Sequence, residues 1–323
     1  MRYVCCHYLG LPERVWEIMS TAWEPATRKA YEGPARRWME YTQEHNIPPT
    51  TPSVSQVLQF LTVYYDTGVG YSSIVLQKAF MSFFIKLDNA PLGKHPLVAK
   101  FVKGTKKART VKPDKLSYIW DPVPVLKHLE TWGPIQDLKY EQLTKRTMAL
   151  FLLATGQRLQ ALSLLKRADF IWTEHSVRIK YTDRMKSNDP IDNPLILRFT
   201  PYMNECICVF AHLKAYMAHP LSQVAVPYTF STIKPPTTKA KPVTISNYVK
   251  SALNMAGVDG QFSAYSARSA STSAAARLNI PVCQILTSAG WASESTFARF
   301  YNRPLHVPQE IVDTNFIPAM RAE

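Results

Sequence analysis

Apolar side chains recur with helical spacing along most of this chain, and only two short stretches alternate as strands do. In the first third, a capping box at residues 53–56 begins a helix that ends before Gly68. Helices are also predicted at residues 31–42, at 74–87 with Ser72 or Ser73 as the cap, and at 96–103. Short helices joined by tight turns predict a small helical bundle.

The rest of the chain combines helices with one small sheet. Alternation at residues 176–181 and 195–199, on either side of a turn-rich segment, predicts a hairpin or small antiparallel sheet. Helices are predicted at residues 123–132, 141–154, 158–167, 206–217, 244–255, 264–278, 282–289 and 293–301. The fold class that follows is α+β and mostly α.

The composition limits the class of protein. Apolar residues make up 46% of the 323 residues, which argues against a wholly disordered chain. No apolar stretch reaches the roughly 18 residues of a membrane helix, and the first residues make a poor signal peptide. Five cysteines, an odd and low number, fit a reducing compartment better than a disulfide scaffold. Because neither the cysteines nor the histidines have zinc-site spacing, no metal or other cofactor is expected.

The formal net charge of +14 favours a polyanionic partner, although on composition alone a solvated surface explains it equally well. The distribution of charge favours the partner, since residues 94–115 contain eight basic residues and one acidic residue. We expect this basic segment to be a linker between two domains, well placed to lie along the phosphates of a nucleic acid. Its basic residues are Lys94, Lys100, Lys103, Lys106, Lys107, Arg109, Lys112 and Lys115.

Four segments after the basic segment carry residues suited to phosphate chemistry. ALFLLATGQRLQALSLL places Arg158 behind an apolar helix and a Thr-Gly turn, and RIKYTDRMKSNDP places Lys186 in the predicted hairpin. FSAYSARSASTSAAA contains Tyr265 and Arg268. SAGWASESTFARFYNRP contains Trp291 and Tyr301.

In this order the four segments resemble the motifs of the tyrosine recombinase (phage integrase) superfamily. The helical first third resembles that family's core-binding domain, so the resemblance covers nearly the whole chain. HPLVAKFVKG, YIWDPVPVLKHLE and FYNRP look most like recombinases of DIRS-type retrotransposons or related, Crypton-like eukaryotic mobile elements. The resemblance implies a helical core-binding domain at residues 1–112, ending in a basic linker, and a catalytic domain at 113–323 with a tail from about residue 304.

The resemblance also implies the activity, which is site-specific cutting and rejoining of DNA strands through a covalent 3′-phosphotyrosyl intermediate and a Holliday junction. Tyr301 would be the nucleophile, while Arg158 and Arg268 would hold the scissile phosphate. Trp291 would pack on that phosphate or donate its indole N–H to it. Lys186 would be the general acid, with Lys180 as the alternative if the strand register differs.

These residue types suit that reaction. A tyrosine oxygen conserves the phosphodiester bond energy in a covalent link. Because a tyrosine hydroxyl ionises only near ~10, it needs a cationic, hydrogen-bonding surround at neutral pH. Guanidinium groups stay charged and bind phosphate oxygens in a bidentate way. Such cations take the role of the two metal ions that other nucleases hold with grouped carboxylates.

Two positions depart from the family pattern. Tyr265 stands where the family usually has histidine, and tyrosine cannot accept a proton near neutral pH as imidazole does. Ala161 stands where many members carry an acidic residue that supports the first arginine. The first departure leaves two interpretations, an active enzyme with a substituted helper residue or a domesticated DNA-binding protein with weakened cleavage. A type IB topoisomerase is a third, disfavoured because the larger accessory regions are missing.

The resemblance further implies partners and location. Double-stranded DNA would be bound by a homo-oligomer, a dimer on one site and a tetramer in the synaptic complex. The 22 residues after Tyr301 would dock on a neighbouring protomer; the alternatives are that they pack in cis or are disordered. Integration or excision of a mobile element would be the biological role, in the nucleus if the source is eukaryotic, and no membrane partner is expected.

Overall fold

The computed structural model describes residues 10–108, 118–185, 188–225 and 227–305. Contacts divide the chain into two compact units, Met1–Lys115 and Leu116–Glu323. The boundary predicted after residue 112 and the tail beyond residue 305 lie outside the described residues. The same is true of Arg109, Lys112, Lys115 and Lys186. Within the described ranges, no helix is long and apolar enough to cross a membrane.

The first unit is built from amphipathic helices, as the helical spacing predicts. They are α1 (Glu13–Ser20), α2 (Pro25–Glu44), α3 (Val54–Asp66), α4 (Tyr71–Met81) and α5 (Pro96–Ala108), with a short hairpin of β1 (Lys86–Leu87) and β2 (Ala90–Pro91) before α5. The capping box of α3 is confirmed, because the Ser53 hydroxyl accepts from the Gln56 N–H at 3.2 Å and the Gln56 side chain accepts from the Ser53 N–H at 2.8 Å. The predicted serine cap of α4 is wrong, since that helix begins at Tyr71 with Gly70 as its N-cap.

The helix α5 corrects the interpretation of the basic segment as a linker. The helix was predicted to end at residue 103 but continues to Ala108, because Val102 and Thr105 extend its buried face. The lysines occupy the rest of its circumference. Those of the segment that the structure describes are all exposed, namely Lys94, Lys100, Lys103, Lys106 and Lys107. The cations up to residue 107 are therefore held on a folded surface.

The second unit surrounds one buried helix. Its elements are α6 (Pro122–Glu130), α7 (Tyr140–Thr155), α8 (Leu159–Leu164), β3 (Phe170–Thr173), β4 (Ser176–Lys180), β5 (Ile196–Phe199), α9 (Val209–Ala218), α10 (Pro242–Met255), α11 (Ser266–Arg277), α12 (Val282–Ala289) and α13 (Glu294–Phe300). The centre is α7, which packs against α9, α10 and α11. Its apolar run at residues 148–152 is buried on all sides, which explains why it shows no polar face.

The sheet has three antiparallel strands in the order β3-β4-β5. Val177 and Ile179 of β4 point into the core, and Ile179 pairs with Phe170 on one side and Leu197 on the other. The predicted hairpin is confirmed as β4 and β5. The strand β3 was not predicted, because only four residues separate the turn at Asp169 from the turn after Thr173.

A fully buried arginine ties three elements of this unit together. Arg146 of α7 donates Nε–H to His212 Nε2 at 2.7 Å and Nη1–H to the carbonyls of Leu129 and Gly133 at 2.9 and 2.8 Å. Burial lowers the pKa of His212 to about 4, and the charge of Arg146 acts in the same direction. His212 is therefore a neutral acceptor at neutral pH, which suits the buried cation beside it.

Candidate active site

Arg268 of α11 is the centre of the candidate site, and it is 4% exposed. Its Nη1 donates to the Gly156 carbonyl and, at 2.9 Å, to the Ala289 carbonyl. Its Nε and Nη2 are buried and have no hydrogen-bond partner. Buried donors without partners are costly, so two of them on one guanidinium indicate a place where an anion fits.

Two aromatic rings lie against this guanidinium. The Arg268 Cζ atom is 4.0 Å from the ring centroid of Trp291 and 5.3 Å from that of Tyr301. The two rings lie 4.5 Å apart between centroids. The residue Trp291 is 8% exposed, and its indole Nε1 is a third buried donor without a partner. The candidate nucleophile thus lies beside three donor nitrogens that have no hydrogen-bond partner.

Helix ends create this cluster. Trp291 follows α12 and packs with Ile285, Ala289 and Phe297 in a small apolar core, onto which the Tyr301 ring also packs. Because α13 is short, Tyr301 at its C-terminus returns to the end of α12. The cluster is therefore formed by packing between elements that are adjacent in sequence.

Two glycines make the close approach possible. Gly156 ends α7 with φ +61°, and a Cβ there would lie 2.6 Å from the Thr272 Cγ2 of α11. Gly290 ends α12 with φ +66°, and a Cβ there would lie 2.8 Å from the Asn188 Oδ1. The left-handed backbone favours glycine at both positions, and at Gly156 the methyl group of Thr272 also leaves no room for a side chain. The Gly156 carbonyl is thereby presented to Arg268.

Arg158 brings a second positive charge to the cluster. It is the half-buried N-cap of α8, two residues after Gly156. Burial, and after it the charge of Arg158, lower the pKa of Arg268 to about 10, and the neighbouring Tyr301 opposes this shift. Arg268 stays charged at neutral pH. Because the two guanidinium groups repel each other, an anion bound by both is attracted to each of them and offsets this repulsion.

Solved structures with this architecture identify the fold. The pre-cleavage complex of the XerH site-specific recombinase with difH substrate has a TM-score of 0.57 at 15% identity, covering 87% of this chain and 76% of that chain. The Tn1549 transposon integrase in complex with transposon right-end DNA has 0.57 at 12%, covering 88% and 91%. A lambda integrase dimer bound to a COC′ core site has 0.53 at 12%, covering 93% and 97%. The fold is that of the tyrosine recombinases. No protein family profile and no curated protein matches the sequence.

In this tyrosine-recombinase fold, the predicted site residues do not all converge. Arg158, Arg268, Trp291 and Tyr301 come together, as described above. Tyr265 begins α11 with its side chain 60% exposed, and within the described ranges its ring takes no part in the contacts of Arg268. Ala161 is buried in the main hydrophobic core of this unit.

The predicted general acid lies in the β4–β5 connection. Lys186 lies outside the described residues, but its neighbours Met185 and Asn188 exchange two backbone hydrogen bonds, of 3.0 and 3.2 Å. The Asn188 side chain in turn reaches Gly290, next to Trp291. Lys180, the alternative, is the exposed last residue of β4 and pairs with Ile196. Among the described residues of this connection, Asn188 thus lies beside the turn that precedes Trp291.

Three residues that support the site were not predicted from the sequence. Gln157 is buried and donates to the Ser288 carbonyl at 2.6 Å, which ties the α7 turn to α12. Asn188 approaches Gly290 with its side chain, as described above. Ser273 of α11 donates its hydroxyl hydrogen to the Tyr301 carbonyl. A buried serine in a serine- and alanine-rich helix carries no sequence signal, since its partner lies 28 residues away.

The first unit presents cations and aromatic rings together. Lys106 of α5 lies 5.8 Å from the ring centroid of Tyr71, and Arg37 of α2 lies 4.5 Å from that of Tyr64. Arg37 also donates to the buried side chain of Gln77 at 3.3 Å. Cations held in this way lose less freedom when they bind phosphate than free side chains do.

Proposed function

We propose that this protein is a DNA strand-exchange enzyme that cuts and rejoins double-stranded DNA through a tyrosine. The proposal is supported above all by three buried donor nitrogens without partners, two on Arg268 and one on Trp291, directly beside the Tyr301 ring. A phosphodiester supplies oxygens for such donors and an electrophilic phosphorus for the phenol oxygen. The recombinases and integrases with this fold are bound to DNA in the solved structures named above.

In the proposed reaction, Tyr301 gives its phenolic proton to solvent, its oxygen attacks the scissile phosphorus, and the bond from phosphorus to the 5′ oxygen breaks. A 3′-phosphotyrosyl link forms, and Lys186 gives a proton to the departing 5′ oxygen. Arg268, Arg158 and the Trp291 indole hold the non-bridging oxygens as charge develops on them. Attack by a 5′ hydroxyl of another strand reverses these steps and, through a Holliday junction, exchanges the strands.

The first unit would supply the grip on the duplex. Its exposed lysines on α5, together with the undescribed Arg109, Lys112 and Lys115, would bind phosphates without reading sequence. We place the boundary of the two domains at residues 112 and 113. Assembly as a dimer on one site and a tetramer in synapsis is part of the proposal, supported by the lambda integrase dimer bound to its core site.

The role in a mobile element is proposed as well. It is supported by the sequence details noted above, which favour a DIRS- or Crypton-like element, and by the likeness in fold to a transposon integrase. For such a eukaryotic element, the nucleus is the proposed site of action.

Covalent capture tests the activity without knowledge of the target site. The full chain is incubated with nicked duplexes whose central segment is randomised. Cleavage near the nick releases a small fragment that diffuses away, and because the strand can then no longer be rejoined, the covalent adduct accumulates. Wild-type protein is expected to form denaturant-stable protein–DNA adducts enriched in one sequence, and Tyr301→Phe is expected to form none. Absence of adduct from the wild type on such a pool and on four-way junctions would overturn the proposal.

A second candidate is a DNA-binding protein that has lost efficient cleavage. The exposed Tyr265, in the position where the family usually has histidine, favours it. This candidate predicts sequence-specific binding without adduct, and gain of adduct in Tyr265→His. An adduct from the wild-type protein would eliminate it.

A further inference from the structure

The segment that carries Tyr301 is fastened at several points of its backbone. The Tyr301 N–H donates to the Phe297 carbonyl at 2.9 Å, which closes the last turn of α13. Its carbonyl accepts from the Ser273 hydroxyl, and the same hydroxyl accepts from the Arg303 N–H at 3.0 Å. Beyond it, the Pro304 carbonyl accepts from the Ile119 N–H at 2.8 Å.

Ser273 differs in this respect from its neighbours in α11. The hydroxyls of Ser271 and Thr272 both donate to the Arg268 carbonyl of their own helix, at 3.4 and 2.7 Å. This is the usual bond of a serine or threonine within a helix. Ser273, which is fully buried, instead uses its hydroxyl for the segment 28 and 30 residues later. A hydroxyl has one donor and two acceptor positions, and this one serves two backbone groups at once.

The same helix therefore carries the phosphate-binding arginine and the attachment of the nucleophile. Arg268 and Ser273 lie five positions apart on α11, a span that a helix holds nearly rigid. Arg277, one turn further on, donates weakly to the Arg303 carbonyl at 3.4 Å and extends the attachment. Within one protomer, the distance from the guanidinium to the Tyr301 backbone is thus set by a single element.

We propose that Ser273 is a positioning residue that holds Tyr301 in line with the phosphate bound by Arg268 of the same protomer. The proposal rests on the proposed function and adds to it the residue that aligns the nucleophile. Misplacement of a reacting group by about 1 Å costs roughly 100-fold in rate. Loss of the hydroxyl should therefore slow the attack by about that factor, without weakening DNA binding, because Ser273 is buried and does not face solvent.

The test compares Ser273→Thr with Ser273→Val, which have the same shape and differ in the hydroxyl. Adduct formation is timed in single turnovers at saturating nicked duplex, taken from the pool that the wild type enriches. We expect Ser273→Thr to react much faster than Ser273→Val, by a factor of roughly 100, at equal DNA affinity in a binding titration. Ser271→Ala, whose hydroxyl serves only its own helix, is the matched control and should react as the wild type does.

A sulfur-bridged substrate separates positioning from proton transfer. When sulfur replaces the bridging 5′ oxygen, the leaving group departs without a proton, so that a general acid is no longer needed. This substrate should restore the rate of Lys186→Ala and should leave Ser273→Val slow. Equal rates for Ser273→Thr and Ser273→Val, or restoration of Ser273→Val by sulfur, would overturn the positioning role. No adduct from the wild type would overturn the proposed function itself.

Discussion

Replacing Trp291 with phenylalanine removes one N–H group from the candidate site and keeps an aromatic ring against Arg268. In the DNA-free protein, the indole N–H is buried without a partner, which costs about 1–3 kcal/mol of stability. The smaller ring of phenylalanine leaves space that costs roughly 1–2 kcal/mol. The two effects oppose each other, so the free energy of unfolding should stay within about 1 kcal/mol of the wild type.

The same substitution should act strongly on the reaction. If the indole N–H donates to a phosphate oxygen as charge develops, its loss costs about 2.7–4 kcal/mol, or roughly 10²–10³-fold in the rate of adduct formation. Urea unfolding measures the stability, and single-turnover adduct formation at saturating duplex measures the rate. Phe297→Leu is the matched control, because Phe297 packs on Trp291 at 5.7 Å between centroids but offers no donor.

The two readouts distinguish a donor from a packing residue. A donor predicts an unchanged free energy of unfolding and a slow reaction for Trp291→Phe, against a rate close to the wild type for Phe297→Leu. If Trp291→Phe reacts within a few-fold of the wild type, or no more slowly than Phe297→Leu, the inference from the unpartnered N–H is refuted.

Three further predictions address charge, grip and assembly. The pKa of His212 is about 4 in the folded protein and about 6.5 when unfolded, so the unfolded state binds the proton more tightly. The contribution of His212 to the free energy of unfolding is therefore fully present above pH ~6.5 and falls by about 3 kcal/mol as the pH drops towards 4. Urea unfolding of the wild type and of His212→Gln at a series of pH values measures this decrease, which the variant should lack. Replacing Lys103 and Lys107 with glutamine should reduce the slope of log affinity against log salt by about 2, measured by fluorescence anisotropy. Mixing Tyr301→Phe with Arg268→Ala should yield no adduct above that of either variant alone, because both groups act within one protomer.

Each of these predictions has an outcome against it. If replacing Lys103 and Lys107 with glutamine leaves the slope of log affinity against log salt unchanged, α5 does not face the phosphates. Adduct from the mixed variants would show that the tyrosine attacks at the arginine of another protomer. For His212, a stability profile that is flat between pH 6.5 and 4 would show that the imidazole is not held neutral by burial.

Local patterns explain which elements could be predicted. The helix α12 is bracketed by Pro281 and Gly290, and its predicted bounds of 282–289 are those observed. The helix α11 was predicted at 264–278 and spans Ser266–Arg277. The strand β3 was not predicted, because four residues are too few to show a recognisable alternation of apolar and polar side chains. Periodicity is thus informative where an element is long or ends at a strong stop signal.

The candidate site divides in the same way. Arg158, Arg268, Trp291 and Tyr301 were named from motifs, and the structure brings them together. The partners of Arg268 were not foreseeable, because they are backbone carbonyls presented by Gly156 and by Ala289 from distant turns. The role of Ser273 likewise depends on a contact between elements far apart in sequence. Sequence motifs identify the reacting side chains, whereas the groups that orient these side chains are determined by tertiary packing and can be identified only in the structure.

The decisive measurement of the proposed chemistry is to identify the residue that carries the trapped DNA. The adduct formed on a nicked duplex would be digested with protease and nuclease, and the modified peptide sequenced by mass spectrometry. We expect a nucleotide joined through its 3′ phosphate to the Tyr301 oxygen. A phosphate on any other side chain, or a link through the 5′ end of the DNA, would contradict it.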